Sequence, residues 1–271
     1  MTEGLYPAPR YLFMWIDSHA HLEMAAFDSD RPRVIERAVR QGVTTIITIG
    51  TDLTSSRQAL ALAKTYSPLR ATVGFHPHEA QTFEPDILPK LAALARDPLV
   101  VAIGEIGLDF YRNLSPPKNQ KETFRQMIQL ARTVSLPVII HDREAHQEIL
   151  TILKEEKAWE MGGVFHCFSG DWEMARQCMD LNFFLSITGA VTYKKDSILE
   201  EVVRWTPLKY LLLETDAPYL APHPHRSKRN EPAYVLRTAE HVAQIREMSL
   251  EELSPAILQN TRRAFPKLDL S

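Results

Sequence analysis

Short apolar runs recur along the chain, and polar residues interrupt them only weakly. Valine, isoleucine, leucine and phenylalanine dominate these runs, as they do in strands that are buried on both faces of a parallel sheet. Eight runs are candidate strands: YLFMWI, TTIITIG, RATVGF, LVVAIGEI, PVIIH, GGVFHCF, FFLSITG and YLLLET. The pattern therefore predicts eight buried strands with segments of another periodicity between them.

The segments between the runs carry the signals of helix ends. In DSDRPRVIERAVRQG, Asp30 can cap a helix, Pro32 suits its first turn, and Gly42 follows its end. In PPKNQKETFRQMIQLARTVSLP, apolar residues share one helical face and the pattern stops before Pro137. This alternation predicts an α/β protein with a single (β/α)8 TIM barrel, and a doubly wound open sheet is the alternative.

No linker or change of composition divides the chain. We expect residues 11–271 to form one barrel domain, because a chain of 271 residues has the normal length for that fold. Residues 1–10 are interpreted as a poorly ordered N-terminal extension.

Composition and charge narrow the class of protein. The net charge of −3 argues against a surface coated for nucleic acid, although it allows a local basic patch. Two cysteines, Cys167 and Cys178, are too few for a disulfide framework and favour a reducing compartment. The N-terminal segment has no export signal and no run long enough to span a membrane, so we expect a cytoplasmic protein without membrane contact.

Metal-binding residue types cluster at the predicted ends of the strands. In a TIM barrel, the C-terminal ends of the strands form the reactive face. Six residues at these ends could bind metal: His19, His21, Glu105, His141, His166 and Asp216. Residues two apart on a strand point the same way, so His19 and His21 can face one ion, whereas Cys167 alternates with His166 and should face the helices.

Each of these residues alone also has a structural explanation. A single histidine at a strand end is more often hydrogen-bonded than metal-bound. Glu105 could pair with an arginine, and Asp216 could cap the turn at Pro218. The convergence of all six on one face of the barrel nevertheless favours a metal site.

The motifs that carry these residues resemble those of the TatD family of metal-dependent hydrolases and deoxyribonucleases. The resemblance runs from IDSHAHL through GFHPHE, AIGEIGLDFY, LPVIIHDREAH, GVFHCFSGD and LLETDAPYLAP. It implies that His19 and His21 are a ligand pair, that Glu105 is the acidic ligand, and that His141, His166 and Asp216 complete the set. One departure is Ser227, where the family often has glycine, and it affects the expected course of a substrate loop.

Six ligands suit two divalent ions that share one bridging carboxylate. We assign His19, His21 and Asp216 to one ion, His141 and His166 to the other, and Glu105 to both. Two ions about 3.5–4 Å apart can activate water and hold the oxygens of a phosphoryl group. Asp216 and Glu105 are therefore the candidate catalytic residues, and Asp216 would orient the water and accept its proton. Four imidazoles favour zinc, manganese or iron over magnesium, whereas the resemblance implies magnesium or manganese, and the ion stays open between Mg, Mn and Zn.

A nucleic-acid substrate also requires groups that bind phosphate. The candidate substrate-binding residues are His78, Arg112, Arg143, Arg226, Lys228 and Arg229. The last three could instead form an exposed loop, and Arg112 and Arg143 could pair with nearby acids. Phe168 and Tyr219 could stack on a base or pack in the protein.

These patterns predict a binuclear phosphodiesterase or deoxyribonuclease, 3'-5' exonuclease-like, with DNA ends as substrate and no obligate protein partner. One alternative keeps the metal centre but changes the bond to an amide, ester or lactone, including an aminoacyl ester. The other is a non-catalytic protein that binds metal or nucleic acid.

Overall fold

Eight parallel strands form one sheet in the order in which they occur along the chain. The computed structural model describes residues 13–193 and 197–270, so the predicted extension at residues 1–10 lies outside the described residues. The strands are β1 (Trp15–Ala20), β2 (Val43–Thr48), β3 (Leu69–Val73), β4 (Val100–Asp109), β5 (Val138–Arg143), β6 (Gly163–Phe165), β7 (Phe183–Ile187) and β8 (Leu211–Leu213). The prediction of eight buried parallel strands is confirmed.

Helices connect the strands along the whole described chain. They are α1 (Arg31–Arg40), α2 (Leu53–Thr65), α3 (Ile87–Ala95), α4 (Pro117–Val134), α5 (His146–Glu155), α6 (Trp172–Asp180), α7 (Ser197–Trp205), α8 (Val235–Ile245) and α9 (Leu250–Ala264). Helix α1 begins directly after Asp30, as predicted, but the Asp30 carboxylate makes no capping hydrogen bond. It accepts hydrogen bonds from Arg229 at 2.9 and 2.8 Å instead, so this acid fastens a distant loop.

The first strand begins later than its apolar run suggests. The run covers residues 11–16, whereas β1 starts at Trp15 and includes the polar residues Asp17 and Ser18. Both are buried, and both have partners in β8 or directly after it: Ser18 Oγ donates to the carbonyl of Leu213 at 3.0 Å, and Asp17 Oδ1 accepts from the backbone N–H of Thr215 at 2.9 Å. These bonds satisfy polar side chains that would otherwise be costly inside a sheet.

The sheet closes where β1 meets the residues that follow β8. The backbone N–H of Asp216 donates to the carbonyl of His19 at 2.9 Å, and the N–H of His21 donates to the carbonyl of Ala217 at 2.7 Å. Ala20 and Ala217 form a parallel bridge. The fold is therefore a (β/α)8 barrel, and the open-sheet alternative is wrong.

The barrel interior is filled by side chains at β2 and at β4 to β8. These residues form a separate apolar cluster together with Ala264 at the end of α9 and Phe265 after it: Ile47, Ile49, Val101, Ala102, Ile139, Val164, Phe184 and Leu212. A larger cluster lies between the strands and the helices. Because side chains alternate along a strand, the residues two and four positions beyond the interior ones also face inward, at the C-terminal end of the barrel.

Among the described residues, no helix combines the length and the apolar composition that a membrane span requires.

Candidate metal centre

Strand alternation explains which side chains converge at the C-terminal end of the barrel. His141 lies two positions after the interior residue Ile139, and His166 lies two positions after Val164. Their side chains line a cavity of about 590 Å³ at this end, a volume typical of small-molecule sites. The regular geometry of the barrel therefore carries the histidines into one open cavity.

Glu105 stands at the middle of this convergence. It is 2% exposed, and five imidazoles surround it, with ring nitrogens 2.6–3.7 Å from its oxygens: His19, His21, His76, His141 and His166. The two carboxylate oxygens face different neighbours. Oε2 is nearest to His19 and His21, whereas Oε1 is nearest to His76, His141 and His166.

Four donor atoms meet on the Oε2 side of Glu105. The Nε2 atoms of His19 and His21 are 3.3 Å apart, and Asp216 Oδ1 lies 3.7 and 3.4 Å from them. Tetrahedral ligands about 2.1 Å from one ion lie roughly 3.4 Å from each other. The spacing and the nitrogen and oxygen donors of this group therefore fit one divalent cation.

Three imidazoles meet on the Oε1 side. His141 Nδ1, His166 Nε2 and His76 Nε2 lie 2.6, 3.0 and 3.4 Å from Glu105 Oε1. The six predicted ligands did not include His76, yet its side chain is buried against Glu105. His76 closes its strand just as His141 and His166 do, so the strand-end rule could have included it.

Two buried glutamates contact the Nδ1 atoms of histidines whose Nε2 atoms face Glu105. Glu23 Oε1 lies 3.2 Å from His21 Nδ1, and Glu214 Oε1 lies 3.1 Å from His166 Nδ1. A carboxylate on one ring nitrogen fixes the tautomer and leaves the other nitrogen free to bind an ion. Sequence reasoning missed both glutamates, although Glu214 lies two positions after the interior residue Leu212 and two before Asp216.

A third acid, Asp109, connects two histidines at the side of the cluster. Its Oδ2 lies 2.7 Å from His78 Nε2 and 3.2 Å from His141 Nε2. The N–H of Arg112 donates to Asp109 Oδ1 at 2.7 Å. Asp109 therefore orients His78, the predicted substrate contact, beside the cluster.

The ionisation of the cluster suits a cation. Burial opposes the charge on Glu105, but the surrounding imidazoles outweigh burial and hold the pKa of Glu105 well below its usual range. At Asp216, burial is likewise outweighed by His21 and His166, and its pKa is lowered. Burial lowers the pKa of His76 to about 4, so this imidazole is neutral at neutral pH. At His21 and His166, burial is outweighed by the nearby carboxylates, which raise the pKa well above its usual value, so a cation would displace protons from these two imidazoles.

Exposed side chains surround the cavity mouth. Tyr111, Arg112 and Leu114 from the segment after β4, Arg143 from the end of β5, and Tyr219 from the segment after β8 all line the cavity. Within the described part of the chain, neither Arg112 nor Arg143 forms an ion pair. The structure therefore brings these two predicted substrate contacts to the cavity with their charges available.

The other predicted substrate contacts do not reach the cavity. Arg229 binds Asp30, and Arg226 lies 3.8 Å from the centre of the Tyr193 ring. Neither of them, nor Lys228, is among the residues that line the cavity. Through these contacts, Arg226 and Arg229 attach the loop after β8 to Tyr193 and to the start of α1. The placement of these residues gives no support to phosphate binding in this loop.

Two further expectations about this region are corrected by the structure. Cys167 lines the cavity rather than facing the helices, because its φ of 45° turns the main chain directly after His166, so strand alternation does not extend to it. Its N–H donates to Glu214 at 2.6 Å, and burial raises the pKa of its thiol to about 12. Phe168 is buried and packs near Phe165, so it is unavailable for stacking on a substrate.

Known proteins are similar to this chain over nearly its whole length. Residues 16–266 match the family model described as TatD related DNase. The chain is 44% identical to an uncharacterized metal-dependent hydrolase, YabD of Bacillus subtilis, over 93% of this chain and 99% of the relative. It is 38% identical to the 3'-5' ssDNA/RNA exonuclease TatD of Klebsiella pneumoniae over 92% of this chain and 97% of the relative. The crystal structure of YJJV, a TatD homologue from Escherichia coli K12, superposes with a TM-score of 0.88 at 33% identity and covers 93% of this chain and 98% of its own.

Proposed function

The chain belongs to the TatD-related DNase family, and from this we propose that it is a divalent-metal-dependent phosphodiesterase that removes nucleotides from DNA ends in the 3'-5' direction. The observation that carries the proposal is Glu105, whose two oxygens face two separate groups of imidazoles. A carboxylate in this position can bridge two cations, and two cations suit the charge of a phosphodiester.

Two groups of residues would hold the ions. His19, His21 and Asp216 would bind one, His141 and His166 would bind the other, and Glu105 would bind both. His76 offers a further nitrogen on the side of the second ion. Bound divalent ions, whether Mg, Mn or Zn, would supply a water of lowered pKa and neutralise charge on the phosphoryl oxygens.

The side chains of the site have separate tasks in this reaction. Asp216 is ionised, and one of its oxygens faces the histidines, so its second oxygen can orient the attacking water and accept its proton. Arg112 and Arg143 are exposed and unpaired within the described chain, and they would bind the phosphates of the strand. His78, held by Asp109, would donate a hydrogen bond to the same phosphates.

The two alternatives are weaker. The amide, ester or lactone group itself carries no charge for Arg112 and Arg143 to bind. A protein that binds metal or nucleic acid without turnover is disfavoured because the relatives named above include a metal-dependent hydrolase and an exonuclease. DNA rather than RNA as the substrate, a cytoplasmic location and the absence of an obligate protein partner remain predictions.

Metal analysis followed by a substrate screen tests the proposal. We expect about two equivalents of divalent metal per chain. With Mg²⁺ or Mn²⁺ supplied, 5'-labelled single-stranded DNA should shorten from its 3' end, and excess chelator should stop the reaction until metal is restored. RNA, duplex DNA and a neutral carboxylic ester should be assayed in parallel. Hydrolysis of the ester without cleavage of either nucleic acid would refute the phosphodiesterase assignment.

A further inference from the structure

Exposed apolar side chains concentrate at the mouth of the cavity. Tyr111, Leu114 and Tyr219 are 65%, 57% and 51% exposed, and all three line the cavity. The other large hydrophobic side chains exposed in the described residues, Met14, Trp159, Ile198 and Trp205, lie outside its lining. Clusters of exposed apolar groups at a cavity are characteristic of binding surfaces.

The loop that carries Tyr111 is held firmly from below. Gln120 of α4 accepts a hydrogen bond from the N–H of Asp109 at 2.8 Å and donates to the carbonyls of Asp109 and Ser115 at 3.1 and 2.8 Å. Ser115 Oγ in turn donates to the carbonyl of His78 at 2.6 Å. The loop is thus fixed to the cluster, and the exposure of Tyr111 follows from a defined backbone rather than from lack of contacts.

One face of Tyr111 is covered by a cation. The Arg143 guanidinium lies 5.0 Å from the centre of the ring, within the range of a cation–π contact. Within the described residues Arg143 has no carboxylate partner, and the Tyr111 hydroxyl has no hydrogen bond. The pair therefore presents an aromatic ring and a positive charge side by side at the mouth.

Tyr219 lies on the opposite side of the histidine cluster from Tyr111. Its ring is 6.3 Å from that of His21 in an edge-to-face arrangement, and its hydroxyl donates to Met24 Sδ at 3.8 Å. The main chain there is fixed, since the N–H of Tyr219 donates to the Asp216 carbonyl at 2.8 Å. The cavity thus has an aromatic side chain on the segment after β4 and another on the segment after β8.

We propose that Tyr111, supported by Arg143, is a stacking platform for one nucleobase, and that Tyr219 and Met24 form the opposing wall. This proposal rests on the proposed function, because the base would belong to the terminal nucleotide whose phosphate lies over Glu105 and Asp216. Stacking on an aromatic ring accepts any base, since each base has a π face. A base inside a duplex is already stacked on its neighbours, so the platform selects an unpaired strand end.

Ligand binding tests the platform without requiring turnover. The metal-loaded protein should be titrated by calorimetry with 2'-deoxyadenosine 5'-monophosphate and with 2-deoxyribose 5-phosphate, which carries a hydroxyl group in place of the base. We expect the nucleotide to bind roughly 5- to 100-fold more tightly. Tyr111→Ala should remove most of this difference, Tyr111→Phe should keep it, and Tyr219→Ala should reduce it. Trp205→Ala is the matched control, because Trp205 is equally exposed but lies away from the cavity.

Cleavage of two oligonucleotides separates this proposal from the function on which it rests. One carries a normal 3'-terminal nucleotide and the other a base-free residue at that position. The unmodified protein should prefer the first, and Tyr111→Ala should cleave both with similar kcat/KM. Equal binding of the two small ligands, or a base preference that survives Tyr111→Ala, overturns the platform. Base-dependent binding that depends on Tyr111 without any strand cleavage would leave the platform standing and refute the nuclease assignment.

Discussion

At the floor of the cavity, a single carboxylate contacts five imidazoles, whereas at the rim two arginines and two tyrosines face solvent. The floor is formed by Glu105, Asp216 and the histidines around them. Each floor side chain is buried or half-buried and is held by a neighbour of complementary charge. The rim, formed by Tyr111, Arg112, Leu114, Arg143 and Tyr219, is held by its backbone while its side chains have few partners.

The difference separates the tasks of the two regions. Charges grouped in a buried place cost free energy unless another charge compensates them, so the floor is suited to cations. Free cationic and aromatic groups at a surface cost little, so the rim can change its side chains without loss of fold. Substitutions at the floor should therefore affect chemistry and metal binding, and substitutions at the rim should affect recognition.

The largest effect is expected for Asp216→Asn at the floor. An amide cannot accept the proton of the attacking water, and a general base typically contributes about 10²–10⁴-fold to a rate. We expect kcat to fall by about 10³-fold or more at saturating metal, with an unchanged circular dichroism spectrum. Activity close to that of the unmodified protein would show that Asp216 is not the base.

The second-largest effect is expected for Glu214→Gln, which changes the carboxylate that supports His166. Loss of the carboxylate on His166 Nδ1 should weaken metal binding by about 10–100-fold, the usual cost of removing such support. Activity measured against metal concentration should shift to higher metal, and saturating metal should restore most of kcat. A loss of kcat that no metal concentration restores would contradict a purely orienting role.

A smaller effect is expected at the rim, where Arg143→Gln should lower kcat/KM for single-stranded DNA by roughly 10-fold. Removal of one phosphate contact should also reduce the slope of log binding constant against log salt by about 1. Arg226→Gln, which alters a cation stacked on Tyr193 outside the cavity, is the matched control and should change neither quantity appreciably. Equal losses in the two variants would show that the basic loop after β8 also contacts the substrate.

The smallest effect is expected in that loop, where Arg229→Gln removes the pair with Asp30. We expect the free energy of unfolding to fall by about 0.5–1 kcal/mol, since both side chains are partly exposed, and kcat/KM to stay the same. Hydrogen bonds from Arg229 hold the pKa of Asp30 below its usual value, so the pair stabilises the fold above a pH of about 3.9. Its contribution should vanish as the pH falls through the lowered pKa of Asp30. Chemical denaturation at pH 7 and at low pH would measure both effects, and an unchanged stability at pH 7 would contradict the role of this pair.

The residues at the floor of the cavity could be predicted from the sequence because their positions at the ends of strands determine where they lie. Once the apolar runs are recognised as barrel strands, the residues that end them must meet at one face, and the six predicted residues do lie together there. Glu23 was hidden because it follows β1 in an irregular segment. His76 follows the third apolar run and could have been included, but six ligands already made a complete set for two ions.

The residues at the rim were harder to predict because loops, not strands, position them. The positive charges at residues 226–229 and the isolated Arg112 and Arg143 were all candidate phosphate contacts, and the sequence does not tell which of them reach the cavity. The sequence does not indicate that Asp30 binds Arg229, because the two residues are 199 positions apart. Nor does periodicity say whether Tyr111 packs inward or faces the cavity, because it follows the end of β4.

The seam between β1 and the residues after β8 also has a consequence for biosynthesis. Asp17 and Thr215 bond across 198 positions, and the neighbouring main chains of His19 and Asp216 are joined there as well. A growing polypeptide cannot assemble the complete ion-binding group until its eighth strand and the turn beyond it have left the ribosome. A truncated product that ends before residue 215 would lack both Asp216, the last predicted ligand, and the residues that bond to Asp17 and His19 of the first strand, so we expect premature release to give an inactive protein.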